Sequence, residues 1–138
     1  TVRGGRDYSK VPKNTHMVGK ILEVPATVRH YNHYLSGGSL KHKLRTIVKG
    51  GSIWFRPALS SLSEMKKLMK DVDAEPGNNY LEFMIHSSEL MPGGSPYFID
   101  SNAIDKMYAT MDELFAYARK LGYEGETLES YTNRFLKK

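Results

Sequence analysis

Three short apolar segments alternate with amphipathic helical patterns along this chain of 138 residues, and this order constrains the fold more than any other feature. The apolar segments cover residues 20–28, 52–57 and 80–85. Such an alternation is typical of parallel α/β units joined by right-handed crossovers. Three strands are few for a parallel sheet, whose faces and edges must be covered. The pattern therefore predicts half of a larger sheet or barrel whose other strands lie upstream.

The helical patterns open on residues that can cap a helix, namely Ser39, Ser61, Ser101 and Thr127. The first pattern ends at Gly50, a residue type favoured just after a helix. Its apolar and basic residues fall on different faces, so the basic residues are expected on the outward, solvated face. The apolar set is Leu40, Leu44, Ile47 and Val48, and the basic set is Lys41, Lys43 and Arg45.

The third apolar segment ends abruptly at a histidine. Residues 80–85 have the length and composition of a strand buried on both faces, and His86 follows directly. In parallel α/β folds, catalytic and binding groups collect at the carboxyl ends of strands, which makes His86 the best single candidate for chemistry. The alternative is a histidine that closes the strand through a hydrogen bond and has no catalytic role.

Composition excludes several classes of protein. The 20 basic and 15 acidic residues give a net charge of +5, but they are interspersed, and no nucleic-acid motif is present. We therefore expect no nucleic-acid partner. The absence of cysteine excludes disulfides and thiolate metal sites. No apolar run approaches the roughly 20 residues of a transmembrane helix, so no transmembrane segment is expected.

Other motifs carry weak signals. His30 and His33 are spaced so that they can share a metal ion, but no third ligand is evident nearby. The Gly-Gly-Ser triplets fit helix ends and turns better than a phosphate-binding loop. The nucleophile elbow of α/β-hydrolases is absent from the sequence.

Four motifs resemble the C-terminal half of polysaccharide deacetylases, a carbohydrate esterase family with a distorted (β/α) barrel. They are ILEVP at 21–25, WFRP at 54–57, FMIHSSELMPGGSPY at 83–97 and TLESY at 127–131. The HSSELMPG stretch is the most specific of them. The resemblance implies the C-terminal portion of such a barrel over residues 20–138, with parallel strands alternating with helices, preceded by a loop or open end at 1–19.

The resemblance also implies roles for individual residues. His86 matches the family's late histidine, the acid that protonates the leaving amine or alcohol during hydrolysis of N- or O-acetyl groups. Arg56 matches a position that can pair with a carboxylate and tune the site. Trp54, Glu89 and Tyr97 are the other candidates for substrate binding or tuning, and Trp54 fits a core position equally well.

The family's metal ligands are not matched in this chain. A divalent metal, usually zinc, is held in the family by an aspartate and two histidines from motifs that precede the segment seen here. The chain opens at Thr1 without an initiator methionine or signal peptide, which predicts a piece of a longer protein. The resemblance therefore implies a metal bound upstream and a segment that is inactive alone.

A second hypothesis is a glycan-binding or interaction domain without catalysis, in which aromatic residues stack on sugars. The aromatic residues concerned are Trp54, Tyr97, Tyr31 and Tyr34. Under either hypothesis the partners are a glycan and the missing N-terminal half, or a second copy that associates through exposed strand edges.

Overall fold

A computed structural model describes residues 11–36, 39–77 and 80–137 of the chain. The described residues form four short strands and four α-helices. In chain order these are β1 (His16–Val18), β2 (Ile21–Glu23), β3 (Val28–Tyr31), α1 (Leu40–Lys49), β4 (Gly51–Trp54), α2 (Leu62–Asp73), α3 (Ser101–Lys120) and α4 (Leu128–Leu136). A 3₁₀ turn, Ser87–Leu90, lies between α2 and α3.

Both sheets have two strands, and both are antiparallel. β1 pairs with β2 in a hairpin whose register places His16 opposite Glu23. β3 pairs with β4, with Val28 opposite Trp54 and Tyr31 opposite Gly51. β1 falls inside the segment 1–19 that the sequence analysis expects to be a loop or open end. Residues 1–10 of that predicted loop lie outside the described residues.

The predicted portion of a parallel (β/α) barrel is wrong, because no strand among residues 11–36, 39–77 and 80–137 is parallel to another. Pro25 interrupts the first apolar segment, and the chain starts a separate strand, β3, at Val28. The turn through α1 then returns β4 alongside β3 in the opposite direction. Hydrophobic periodicity indicates a strand but carries no information on its direction.

The predicted strand over residues 80–85 is also wrong, since this segment pairs with no other strand in a ladder. Its main chain contacts the residue after β4 through one hydrogen bond, in which Met84 N donates to Phe55 O at 3.1 Å. Its backbone is otherwise held by a side chain, because Glu82 N donates to Thr27 Oγ1 at 2.8 Å. These two hydrogen bonds fix the position of the segment, but they do not form the ladder that defines a strand.

The helices begin close to where their capping residues predict. Ser61 caps α2 and forms a capping box with Glu64, and Thr127 caps α4 by accepting from Ser130 N. The cap of α3 is Asp100 instead of the predicted Ser101, since the Asp100 carboxylate accepts from Ala103 N at 2.8 Å. No helix of the described residues is long and apolar enough to cross a membrane.

The core lies between β4, α2 and α3. Ile53 and Phe55 project from β4 and its extension towards these two helices, following the alternation of side chains along a strand. The buried residues of this cluster are Ile53, Phe55, Met65, Leu68, Met69, Val72 and Leu114. The methionines and aliphatic residues of α2 therefore form the centre of the domain.

The first helix is oriented differently from the sequence prediction. Its apolar residues were expected to face inward, but Leu40 and Val48 are 75% and 68% exposed. Thr46 is the buried residue of α1. Its side-chain oxygen accepts a hydrogen bond from Ser36 N, and its main-chain oxygen accepts one from Tyr34 N. Both donors lie in the loop that precedes α1. The helix is thus attached to the domain through a polar contact.

Candidate functional site

The candidate site starts at the end of β4, where side chains alternate between the core and the opposite face. Ile53 and Phe55 are buried in the core, whereas Trp54 and Arg56 are only partly buried. This alternation places Trp54 and Arg56 on the face of the strand that is turned away from the core. Arg56 is thereby available to side chains from other parts of the chain.

The extended segment before His86 is anchored by aromatic packing. Phe83 contacts Phe55 edge-on with ring centroids 5.6 Å apart, and it contacts Phe115 of α3 in the same manner at 5.1 Å. Edge-to-face pairs of this kind contribute about 0.5–1.5 kcal/mol each beyond burial. The backbone immediately before His86 is therefore fixed against both β4 and α3.

A buried glutamate holds the main chain of His86. Glu89 is 1% exposed, and its Oε2 accepts a 3.2 Å hydrogen bond from His86 N. In return, Glu89 N donates to His86 O at 2.9 Å across the 3₁₀ turn. These two bonds close a small ring around the main chain of His86. Its backbone position is fixed while the residue as a whole remains exposed.

The other oxygen of the same carboxylate binds Arg56. Arg56 Nη2 lies 2.5 Å from Glu89 Oε1, and the two side chains are 13% and 2% exposed. Charge-assisted bonds in a site so poorly hydrated are stronger than surface ion pairs. The pair joins the end of β4 to the turn after His86, although 33 positions separate the two residues in sequence.

Burial alone would raise the pKa of the Glu89 carboxyl. The hydrogen bonds from Arg56 and from His86 N, together with the positive charge of Arg56, outweigh burial and lower the pKa of Glu89. Glu89 is therefore ionised at neutral pH. Since Arg56 already neutralises this carboxylate, Glu89 is suited to positioning His86 rather than to accepting a proton itself.

Arg56 retains unused hydrogen-bonding capacity. Its Nε atom is buried and has no hydrogen-bond partner within the described residues. A guanidinium offers five N–H donors, but this one is shielded from solvent, so an external acceptor would reach it only after the surrounding side chains move. The site thus combines an exposed histidine, a paired carboxylate and a partly satisfied arginine.

The remaining candidates from the sequence are Trp54 and Tyr97. Tyr97 is 51% exposed and borders a groove of about 280 Å³ that Pro57, the neighbour of Arg56, also lines. Trp54 is half-buried on β4, and its backbone N donates to Ser60 Oγ. Lys106 and Thr110 of α3 line the same groove. No sequence motif marks these two residues.

The two histidines considered as metal ligands have separate partners. His30 Nδ1 lies 3.4 Å from Ser52 Oγ, and His33 Nδ1 lies 2.7 Å from Ile47 O. Within residues 11–36, 39–77 and 80–137, no group of three or more His, Asp or Glu side chains could hold a metal ion. This finding does not test the implied metal ion, because the resemblance places its ligands upstream of this segment.

Tyr31 and Tyr34, proposed for stacking on sugars, contact each other with ring centroids 5.7 Å apart. The hydroxyl of Tyr31 donates to Asp71 Oδ2 at 2.6 Å, and Lys67 Nζ lies over the Tyr31 ring. These contacts occupy the Tyr31 ring and hydroxyl within the domain. Tyr97 is the more accessible of these aromatic residues.

Comparisons with protein-family models, with curated proteins and with solved structures find no match for this chain. The family resemblance accordingly rests on the four sequence motifs alone. The geometry of His86, Glu89 and Arg56 is independent of that resemblance.

Proposed function

We propose that this chain belongs to a hydrolase that removes N- or O-acetyl groups from a polysaccharide or related glycan, and that His86 is its general acid. The observation that carries the proposal is the buried Arg56–Glu89 pair, which fixes the backbone of an exposed histidine. The HSSELMPG motif, in which His86 and Glu89 both lie, supplies the reaction class.

The chemistry of acetyl removal requires a proton donor beside the leaving group. A sugar amine or alkoxide leaves readily only when its nitrogen or oxygen is protonated, and imidazole is the side chain best matched to this task near neutral pH. A donor must also be held within hydrogen-bonding distance of the leaving atom. The ring of bonds between His86 and Glu89 supports this role because it restricts the imidazole to side-chain rotation alone.

The proposal assigns the metal ion to residues outside this segment. The described residues do not fit a metal site, so no step of the reaction is derived through the ion. The contribution assigned to this chain is the proton donor His86, with Arg56 and Glu89 as positioning residues and Trp54 and Tyr97 as substrate contacts.

The test is acetate release from N-acetylated and O-acetylated oligosaccharides by the polypeptide that carries this segment together with the metal-binding part. His86→Ala should lower turnover by about 10²–10⁴-fold while glycan binding is largely retained. His30→Ala, an exposed histidine on β3, is the matched control and should leave turnover unchanged. An unchanged rate for His86→Ala would exclude His86 as the acid.

The proposed partners are the glycan and either the metal-binding half or a second copy of the chain. The support is that β1 and β2 pair only with each other among the described residues, which leaves strand edges able to accept another strand. Light scattering should detect self-association of the isolated chain, and a monodisperse monomer would contradict it. The proposal includes no nucleic acid, so strong salt-dependent binding of DNA or RNA would contradict it as well.

A further inference from the structure

The first helix exposes an apolar stripe to solvent. Its four residues, which we call the α1 stripe, are Leu40, Leu44, Ile47 and Val48, and they are 75%, 57%, 46% and 68% exposed. The helix is attached to the domain from another side, through Thr46, which is 1% exposed. In most surface helices the apolar face is turned inward. The reversed orientation of α1 therefore requires a partner or a function.

The charges beside the stripe are all positive. At about 100° per residue, the stripe covers an arc of roughly 100° on the helix, and Lys41 and Lys43 lie at its two borders. Arg45 and Lys49 continue the basic surface, and the sequence of α1 contains no acidic residue. The helix thus combines an exposed apolar stripe with four cationic side chains.

We propose that α1 binds in the plane of an anionic lipid bilayer, with the α1 stripe inserted among the acyl chains near the headgroups. Interfacial helices have this distribution of residues, an apolar face bordered by Lys and Arg. The long side chains of Lys41 and Lys43 can reach back to lipid phosphates while their methylene groups stay in the apolar layer. Charge complementarity therefore selects anionic lipid as the occupant.

Two other occupants fit the observations less well. Pairing of two α1 stripes would bring together the Lys41 and Lys43 side chains that border each stripe, four cations in one contact, a repulsion that nothing on α1 offsets. An acidic protein segment would be expected to use a groove, but the cavity beside α1 is lined by residues such as Tyr34, Arg45 and Thr46 and by none of the four residues of the α1 stripe. A fluid bilayer instead adapts to a convex helix. This inference rests on α1 alone and does not depend on the proposed hydrolase activity.

The test is co-sedimentation with phosphatidylcholine vesicles that contain or lack phosphatidylglycerol, at low and high salt. The chain should bind the anionic vesicles and should be released by salt. Leu44→Gln combined with Val48→Gln should weaken binding at least about tenfold, because two apolar side chains leave the acyl region. Since both residues are exposed, circular dichroism should remain unchanged. Ile99→Gln combined with Leu128→Gln, exposed apolar residues outside α1, is the matched control.

The electrostatic contribution is tested separately. Each cation near an anionic surface raises affinity by about fivefold, so Lys41→Gln combined with Arg45→Gln should weaken binding by about 25-fold. Lys106→Gln combined with Lys120→Gln on α3 removes the same charge elsewhere and should have a much smaller effect. If binding does not prefer anionic vesicles, or if the α1 variants bind as well as their controls, the proposal is wrong.

Two further outcomes would replace the lipid with another occupant. A concentration-dependent dimer that Leu44→Gln and Val48→Gln abolish would identify a second copy as the partner. Binding of polyglutamate at least as tight as binding of anionic vesicles would identify an acidic protein segment. Either result overturns the assignment to lipid.

Discussion

Arg56 Nη2 donates a 2.5 Å hydrogen bond to Glu89 Oε1, and this bond joins the end of β4 to the turn that follows His86. Because the two side chains are 13% and 2% exposed, removing either charge leaves the other in a poorly hydrated site without its partner. The position of the candidate acid is therefore coupled to the stability of the domain.

Glu89→Gln should destabilise the protein by about 3 kcal/mol, since it leaves the Arg56 guanidinium buried without a counter-charge. Urea denaturation followed by circular dichroism measures the change. Glu126→Gln is the matched control, because Glu126 pairs with Arg134 where the side chains are 31% and 45% exposed, and it should cost less than about 1 kcal/mol. Equal losses for the two variants would contradict a buried role for Glu89.

Because the pKa of Glu89 is lowered in the folded state, the free energy of unfolding should depend on pH. The folded state binds a proton at Glu89 less readily than the unfolded state, whose carboxyl has an ordinary pKa of 4.5. The stabilisation is therefore complete above about pH 4.5 and is lost as the pH falls through the lower pKa of the folded state. Unfolding free energies measured from pH 7 to pH 3 should fall less steeply for Glu89→Gln than for the wild type. Parallel curves would contradict the assignment.

Glu82 should show the opposite dependence on pH. Burial raises the pKa of Glu82, so its ionised form is less favourable in the folded protein than in the unfolded chain. The stability contributed by the protonated form is present below about pH 4.5 and is lost as the pH rises through the folded-state pKa. Glu82→Gln should stabilise the protein at pH 7 by on the order of 0.5 kcal/mol, reduced by solvent screening of this half-buried group. Urea unfolding should show that this gain disappears near pH 4, and a loss of stability at pH 7 would contradict it.

Local features of the fold were predictable from the sequence. Ser39, Ser61 and Thr127 cap helices where the sequence places them, because a side-chain oxygen followed by an apolar helical pattern is a short-range signal. Gly50 ends α1 as predicted. These features depend on interactions within a few residues, which a single sequence contains in full.

Long-range features were not predictable. The direction of β4 relative to β3 depends on the path of the chain through α1 and its flanking loops. Hydrophobic periodicity carries no information about that path. The sequence indicated that Arg56 can pair with a carboxylate, but it did not identify Glu89, which lies 33 positions away. The helical spacing of the α1 stripe shows that an apolar face exists, but it does not show whether the domain covers that face.

The junction between α1 and β4 should tolerate no side chain at Gly50. Gly50 has a φ of 68°, and a Cβ atom built there would lie 2.3 Å from Tyr31 O and 2.5 Å from Asn32 O. Gly50→Ala should therefore lower the free energy of unfolding by about 3 kcal/mol, because the backbone is strained and β3 must move. Gly77→Ala is the matched control, since Gly77 has a φ of 77° but no described atom within 4 Å of such a Cβ. It should cost only about 1 kcal/mol. Urea unfolding of both variants separates steric contact from strain, and equal costs would mean that β3 does not approach Gly50 as closely as the structure indicates.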